Sequence, residues 1–212
     1  MIFRLDDRLL FPDTALAEED GLLAVGGDLS VNRLLLAYQN GIFPWYNEDT
    51  PILWYAPHER FVLFPAELKI SKSMKQVLKS GRFGVTFNQS FAEVIDACSR
   101  IDRKGQDGTW ITTDMKNAYI QLHNEGFAYS VEVWEDEKLV GGLYGVQIGT
   151  VFCGESMFSL VSNASKVALI SLCNTGKYEL IDCQVHTEHL ESMGARFISR
   201  KDYLAILQNN EV

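Results

Sequence analysis

The sequence predicts an α+β protein: a small, turn-rich N-terminal domain (residues 1–60) followed by a larger mixed-sheet domain (residues 61–212). Three observations carry that prediction. Four of the five prolines, and the glycine- or tryptophan-bearing turns GLLAVGGDLS (21–30), NGIFPWY (40–46) and PILWYAP (51–57), crowd into the first 60 residues. Further on, apolar and polar residues alternate through AYSVEVWE (128–135) and KLVGGLYGVQI (138–148), which read as a hairpin turning at Asp136–Glu137. Segments of helical period lie on both sides of that hairpin, so packed helices and a sheet of mixed direction are expected.

Taken in order, Asp28 or Ser30 is placed to cap a helix over VNRLLLAYQN, which Gly41 ends. FVLF (61–64) reads as a strand. In KISKSMKQVLKS (69–80), Ile70, Met74, Val77 and Leu78 share one helical face. Ser90 opens a helix to about Ser99, and Thr112 or Thr113 opens another to His123. TVFCGESMF (150–158) adds a third strand to the hairpin, and Asn163 stands as a cap before ASKVALISLC. YELIDCQV (178–185) is a further strand, followed by two short closing helices.

Composition narrows the function classes. The chain is 47% apolar and 22% charged, ordinary globular proportions. Lys+Arg 19 against Asp+Glu 28 gives a net charge of −9, which argues against a general binder of nucleic acid or anionic membrane. The most apolar runs, LLLAY (34–38) and VALISLC (167–173), fall far short of the ~20 residues of a spanning helix. The first residues carry acid where an export signal needs a basic stretch, so a cytoplasmic protein is expected. Cys98, Cys153, Cys173 and Cys183 form no C-x-x-C pair and read as buried, reduced thiols. HTEH (186–189) spaces its histidines at i, i+3 rather than the i, i+4 of helical zinc sites, so no metal is expected. Neither Gly26–Gly27 nor Gly141–Gly142 fits a nucleotide-binding loop.

One stretch departs from the overall acidity. Between residues 60 and 82 stand Arg60, Lys69, Lys72, Lys75, Lys79 and Arg82, against Glu67 alone. Lys72, Lys75 and Lys79 recur at helical spacing opposite the apolar face, a local stripe suited to a phosphate backbone. An amphipathic helix with a solvated face would look the same. Two other segments place ionisable or amide groups inside apolar strands. Glu155 sits among Phe152, Cys153, Met157 and Phe158, while Asp182 and Gln184 sit two apart and face one side. Buried carboxylates need partners. These residues read either as a polar network tying strands together or as an acid/base cluster at the mouth of an apolar pocket. Strict alternation separates Phe152 from Met157, and a bulge at Gly154 would bring them together. Trp45 and Trp110 lie beside turns, where they could stack a base or pack a core; Trp134 reads as a sheet residue.

Taken together, GLLAVGGDLS, AYQNGIFPWY, PILWYAPHERFVL, GTWIT, GGLYGV, GESMFS, NASK and LIDCQV resemble, in order and over nearly the whole chain, the leucyl/phenylalanyl-tRNA–protein transferase family. The resemblance implies a GNAT-like C-terminal domain. It also implies an enzyme that moves Leu or Phe, and Met less well, from Leu-tRNA or Phe-tRNA to proteins beginning with Arg or Lys, creating an N-degron for proteolysis. An aminoacyl ester is already activated, so no cofactor is expected. By the same resemblance Glu155, Asp182 and Gln184 form the reacting centre. Either Glu155 and Asp182 polarise Gln184, or Asp182 acts as base or electrostatic anchor while Gln184 orients the amine. Leu143, Phe152 and Met157 would line the aminoacyl pocket, and Trp45 and Trp110 would flank the 3′-adenosine. Lys72, Lys75, Lys79 and Arg82 would face the tRNA backbone, and a monomer is expected. Leu143 and Leu160 stand where many relatives carry Met and Arg, and CNTGKYEL is shorter than its counterparts. The nearest rival, an acyl-CoA-dependent N-acetyltransferase, would need Q/R-x-x-G-x-G/A, and no Arg or Gln here has Gly three residues later. A non-enzymatic RNA-binding module would leave Glu155, Asp182 and Gln184 unexplained.

Overall fold

A computed structural model describes residues 2–101 and 110–209. Four short strands, β1 (Phe3–Leu5), β2 (Leu22–Gly26), β3 (Phe43–Pro44) and β4 (Leu53–Tyr55), form one sheet in the order β1-β2-β4-β3. Helix α1 (Val31–Gln39) crosses from β2 to β3. Of the two proposed caps, Ser30 fills the role by accepting from the Arg33 amide, and Gly41 ends the helix at φ 69°. A side chain at Gly41 would also meet Leu204 at 2.9 Å, so that corner is closed to larger residues.

The second sheet has seven strands in the order β11-β5-β10-β9-β8-β7-β6. They are β5 (Glu59–Leu63), β6 (Gly84–Phe87), β7 (Ala128–Glu135), β8 (Lys138–Ile148), β9 (Val151–Ser159), β10 (Leu180–Gln184) and β11 (Arg196–Ser199). Every neighbouring pair is antiparallel except β9 and β10, so the direction is mixed as predicted. The β7–β8 turn falls at Asp136 and Glu137, both at positive φ, the backbone that matches the right-handed twist of a two-residue hairpin. The helices are α2 (Lys72–Lys79), α3 (Phe91–Arg100), α4 (Thr113–Asn124), α5 (Ala164–Cys173), α6 (Glu188–Ser192) and α7 (Arg200–Gln208).

Several expectations are corrected here. Helix α2 begins only after its Ser71 cap, which leaves Ile70 outside the helix though still packed on the core. Neither Ser90 nor Asn163 caps with its side chain. Instead the carboxylate of Glu132, buried on β7, accepts the Gln89 and Ser90 amides ahead of α3. The edge strands β6 and β11 have no counterpart in the sequence reading, because GVTF and RFIS are too short to show a period.

Two packed layers cover the large sheet. On one face α5, with α2 and α6, closes a core of Leu63, Met74, Val133, Leu169, Leu172 and Ile181. On the other, α3, α4 and α7 share a continuous core with α1 and the small sheet, running from Leu23 and Trp54 through Tyr38 to Tyr119, Tyr144 and Cys153. The first 60 residues therefore have no separate core; they lie against the face of the large sheet on which the ionisable side chains gather. Trp134 is half-buried on β7 and donates to Thr86 Oγ1 at 2.8 Å. All four cysteines are free thiols.

Candidate active site

Strands β9 and β10 stay paired only as far as Cys153 opposite Asp182, and then part. Each carries an irregularity at that point. On β9, Gly145 pairs with Gly154 and Tyr144 with Ser156, so Glu155 is an extra, bulged residue. On β10 the register slips between Asp182 and Gln184, and Gln184 takes a left-handed backbone at φ 59°. The bulge resets alternation, so Phe152 and Met157 line one cavity, together with Leu143, Leu169, Leu172 and Ile181. Its volume is about 250 Å³, below the roughly 300–1,000 Å³ of sites for drug-sized ligands and suited to one apolar side chain. A second opening of about 250 Å³ shares Glu155, Ser156, Met157 and Cys183 with the first and is flanked by Phe43, Trp45, Trp110 and Gln184. Trp45 is 38% exposed there and Trp110 is half-buried.

The polar groups form two linked clusters at the parting of the strands. Asp182 is fully buried. Its Oδ1 accepts from Arg60 Nε at 3.3 Å and from the Gln184 amide at 2.9 Å. Its Oδ2 accepts from Arg60 Nη2 and from the Tyr203 hydroxyl at 2.8 Å. Arg60, 1% exposed, gives Nη1 to the Gly41 carbonyl at 2.8 Å and lies over the rings of Phe43 and Tyr203. Burial works to lower the Arg60 guanidinium, but Asp182 beside it holds it above its ordinary value. Both oxygens of the Asp182 carboxylate are thus engaged, each by two donors.

Glu155 is 7% exposed. Its Oε1 accepts from Gln184 Nε2 at 2.7 Å and its Oε2 from the Tyr119 hydroxyl at 2.9 Å, which is itself bonded to Tyr38. Burial pushes Glu155 up to about 7, against these hydrogen bonds, which lower it. Burial also raises the Tyr38 and Tyr119 phenols well above their ordinary value, and the Glu155 charge adds to both. With one Nε2 hydrogen given to Glu155, Gln184 keeps its carbonyl oxygen and a second N–H for a ligand. Burial pushes the Cys183 thiol at the cleft above its ordinary value too, which makes it a poor nucleophile.

The basic stripe is divided by the fold. Lys72, Lys75 and Lys79 are exposed on α2, while Met74 turns into the core. Arg82 is drawn instead to Glu135 (Nε to Oε1, 2.5 Å) and lies over Phe83. Arg60, grouped with the stripe by sequence position, is an interior residue. In the HTEH segment Thr187 caps α6 and His186 pairs with Glu191 at 3.0 Å, while Thr187 and His189 also line the apolar cavity. Among the described residues no three His, Cys, Asp or Glu side chains are grouped as metal ligands, and no helix is long and apolar enough to cross a membrane. Sequence reasoning missed Arg60, Tyr203, Tyr119 and Tyr38. Arg60 alone carried a signal, since a cation opening the apolar run FVLF raises the same burial question as Asp182. The tyrosines are ordinary members of amphipathic helices.

Residues 62–208 match the family model described as leucyl/phenylalanyl-tRNA protein transferase, and residues 27–58 match the model of its N-terminal domain. The leucyl/phenylalanyl-tRNA–protein transferase of Syntrophobacter fumaroxidans is 58% identical over 99% of this chain and 91% of its own length. That of Flavobacterium johnsoniae is 56% identical over 95% and 96%. Among solved structures, FemX aligns at a TM-score of 0.48 and 10% identity, covering 84% of this chain and 70% of that one.

Proposed function

The chain belongs to the leucyl/phenylalanyl-tRNA–protein transferase family, and on the geometry of the β9–β10 cleft we propose how it works and on what. The donor is Leu-tRNA or Phe-tRNA, with Met-tRNA a weaker one. The leucyl or phenylalanyl side chain enters the cavity of Leu143, Phe152 and Met157, and the 3′-adenosine rests between Trp45 and Trp110. That pose leaves the ester carbonyl at the shared rim beside Gln184. The acceptor is a protein whose first residue is Arg or Lys, and its neutral α-amine donates to the Gln184 carbonyl oxygen. Glu155, by accepting from Nε2, raises electron density on that oxygen. As the amine attacks, a C–N bond forms, the ester C–O bond breaks, and the amine proton ends on the departing ribose oxygen. The buried negative charge of Glu155 stabilises the positive charge that develops on nitrogen before the proton leaves. Asp182 fixes the turn that aims Gln184, and the exposed lysines of α2 attract the tRNA backbone.

The single observation that carries this reading is the Glu155–Gln184 bond of 2.7 Å at the junction of an apolar cavity and a tryptophan-flanked opening. The product carries Leu or Phe in place of a basic N-terminal residue, and we read it as a degradation mark made in the cytoplasm by a monomer. Residues 1–60 and 61–212 are taken as its two domains on the two family models, over 27–58 and 62–208, though the two share one core and β5 of the large sheet starts at Glu59. The test is a matrix of Leu-, Phe-, Met- and Val-tRNA against peptides beginning with Arg, Lys, Glu or Gly. Transfer should be confined to the first three donors and to Arg or Lys peptides; equal transfer to Glu or Gly peptides rejects the acceptor assignment.

A further inference from the structure

Gln184 holds a backbone conformation that side-chain-bearing residues rarely adopt, and the Val185 amide reaches back to the Cys183 carbonyl at 2.6 Å across it. Such a turn persists only where its surroundings over-determine it. What holds it is Asp182 Oδ1, which accepts the Gln184 amide, and what holds Asp182 is Arg60 with Tyr203. The same guanidinium donates to the Gly41 carbonyl and covers the Phe43 ring at 4.8 Å. Gly41 and Phe43 begin the segment that carries Trp45 to the opening that Gln184 also lines. One planar, multiply donating side chain therefore spans directly from the Trp45 loop to the Gln184 turn.

We propose that Arg60 is a positioning residue for the transfer: it locks the loop bearing Trp45 to the turn bearing Gln184, and so sets the distance between the donor's 3′-adenosine and the group that receives the acceptor amine. The inference rests on the roles given above to Trp45 and Gln184. It assigns to the buried pair a task beyond stability, since a buried ion pair is by itself weak evidence of stabilisation. Arg is required rather than any cation, because an ammonium cannot occupy both carboxylate oxygens and the Gly41 carbonyl in one plane.

The experiment is single-turnover transfer of labelled leucine from Leu-tRNA to an Arg-initiated peptide at saturating substrates, on Arg60→Lys, Trp45→Ala, Gln184→Ala and their combinations. Arg60→Lys keeps a cation opposite Asp182. Its rate per folded molecule should fall about 10²-fold, the scale of a small misplacement remote from the chemistry. Leu-tRNA affinity, dominated by backbone charge, should hold. In the wild-type background Trp45→Ala and Gln184→Ala should be non-additive by about fivefold or more; in the Arg60→Lys background they should become additive. A wild-type rate per folded Arg60→Lys molecule, or coupling that survives in it, overturns the proposal and leaves Arg60 purely structural. If Trp45→Ala and Gln184→Ala both leave transfer intact, the reading of the cleft falls and the role of Arg60 with it. Should Arg60→Lys fail to fold, Phe43→Leu, which strips the ring from beneath the guanidinium but spares the ion pair, decides the matter by the same loss or survival of coupling.

Discussion

Replacing Glu155 with Gln should make the protein more stable with rising pH, relative to the native chain, while it loses activity. The native carboxyl ionises near 4.5 when unfolded and at about 7 when folded, chiefly because burial disfavours its charge. Between those values the folded state holds more protons than the unfolded one, so stability falls as pH rises through the window. At about 1.4 kcal/mol for each tenfold change in proton affinity, the whole excursion is worth roughly 3 kcal/mol. Glu155→Gln has no such group and keeps an acceptor for Tyr119, while its NH2 requires Gln184 to turn its amide over and accept. Urea unfolding of both proteins from pH 4.5 to 8 isolates the effect, because all other groups cancel in the difference. The variant's relative stability should climb by about 3 kcal/mol, nearly all of it below pH 7.5, while kcat drops by about 10²-fold for want of a charge opposite the developing ammonium. A difference that stays flat, or declines with pH, refutes the assignment of a buried, proton-avid carboxyl to this site.

Asp182→Asn leaves the Arg60 charge buried and uncompensated, so unfolding free energy should fall by about 3–5 kcal/mol. Its kcat should drop far more than its tRNA affinity, and equal losses in both would mean a structural role only. Charge reversal of Lys72, Lys75 and Lys79 should flatten the salt dependence of tRNA binding by about 0.7–0.9 log units for each phosphate no longer neutralised, measured by filter binding; an unchanged slope removes α2 from the interface. Gly145→Ala would place a Cβ 2.2 Å from the Cys153 carbonyl oxygen and 2.6 Å from the Phe152 ring. It should cost about 1–3 kcal/mol or more of stability and narrow the aminoacyl cavity, read as a larger loss with Phe-tRNA than with Leu-tRNA.

The parts of this molecule with a strong local period were legible from its sequence. The β7–β8 hairpin announces itself through alternation and a two-residue polar turn, and α2 through the spacing of Met74 and Val77 opposite Lys72, Lys75 and Lys79. Glu155, Asp182 and Gln184 were legible as candidates because polar groups inside apolar strands carry a cost that demands a reason. What could not be read is how those residues meet. The Glu155 bulge and the left-handed Gln184 are properties of pairing between strands distant in sequence, and they decide which side chains face the cleft. Arg60 shows the limit most clearly. Adjacency to Lys69, Lys72 and Lys75 made it look like part of a basic surface, whereas the fold turns it inward to Asp182, 122 positions away. Tyr119 and Tyr38 were invisible for the same reason: their hydrogen bonds belong to the packing of α1 and α4, not to either helix alone.

The central claim is that this chain joins an aminoacyl ester to a free α-amine in the β9–β10 cleft, using the Glu155–Gln184 pair. The most direct test is single-turnover transfer of labelled leucine from pre-bound Leu-tRNA to an Arg-initiated peptide, beside its N-acetylated twin, with native protein and with Gln184→Ala. Label should pass to the free-amine peptide alone, and Gln184→Ala should bind Leu-tRNA normally yet transfer about 10²-fold more slowly. Label on the acetylated peptide, or native rates from Gln184→Ala, would contradict the account.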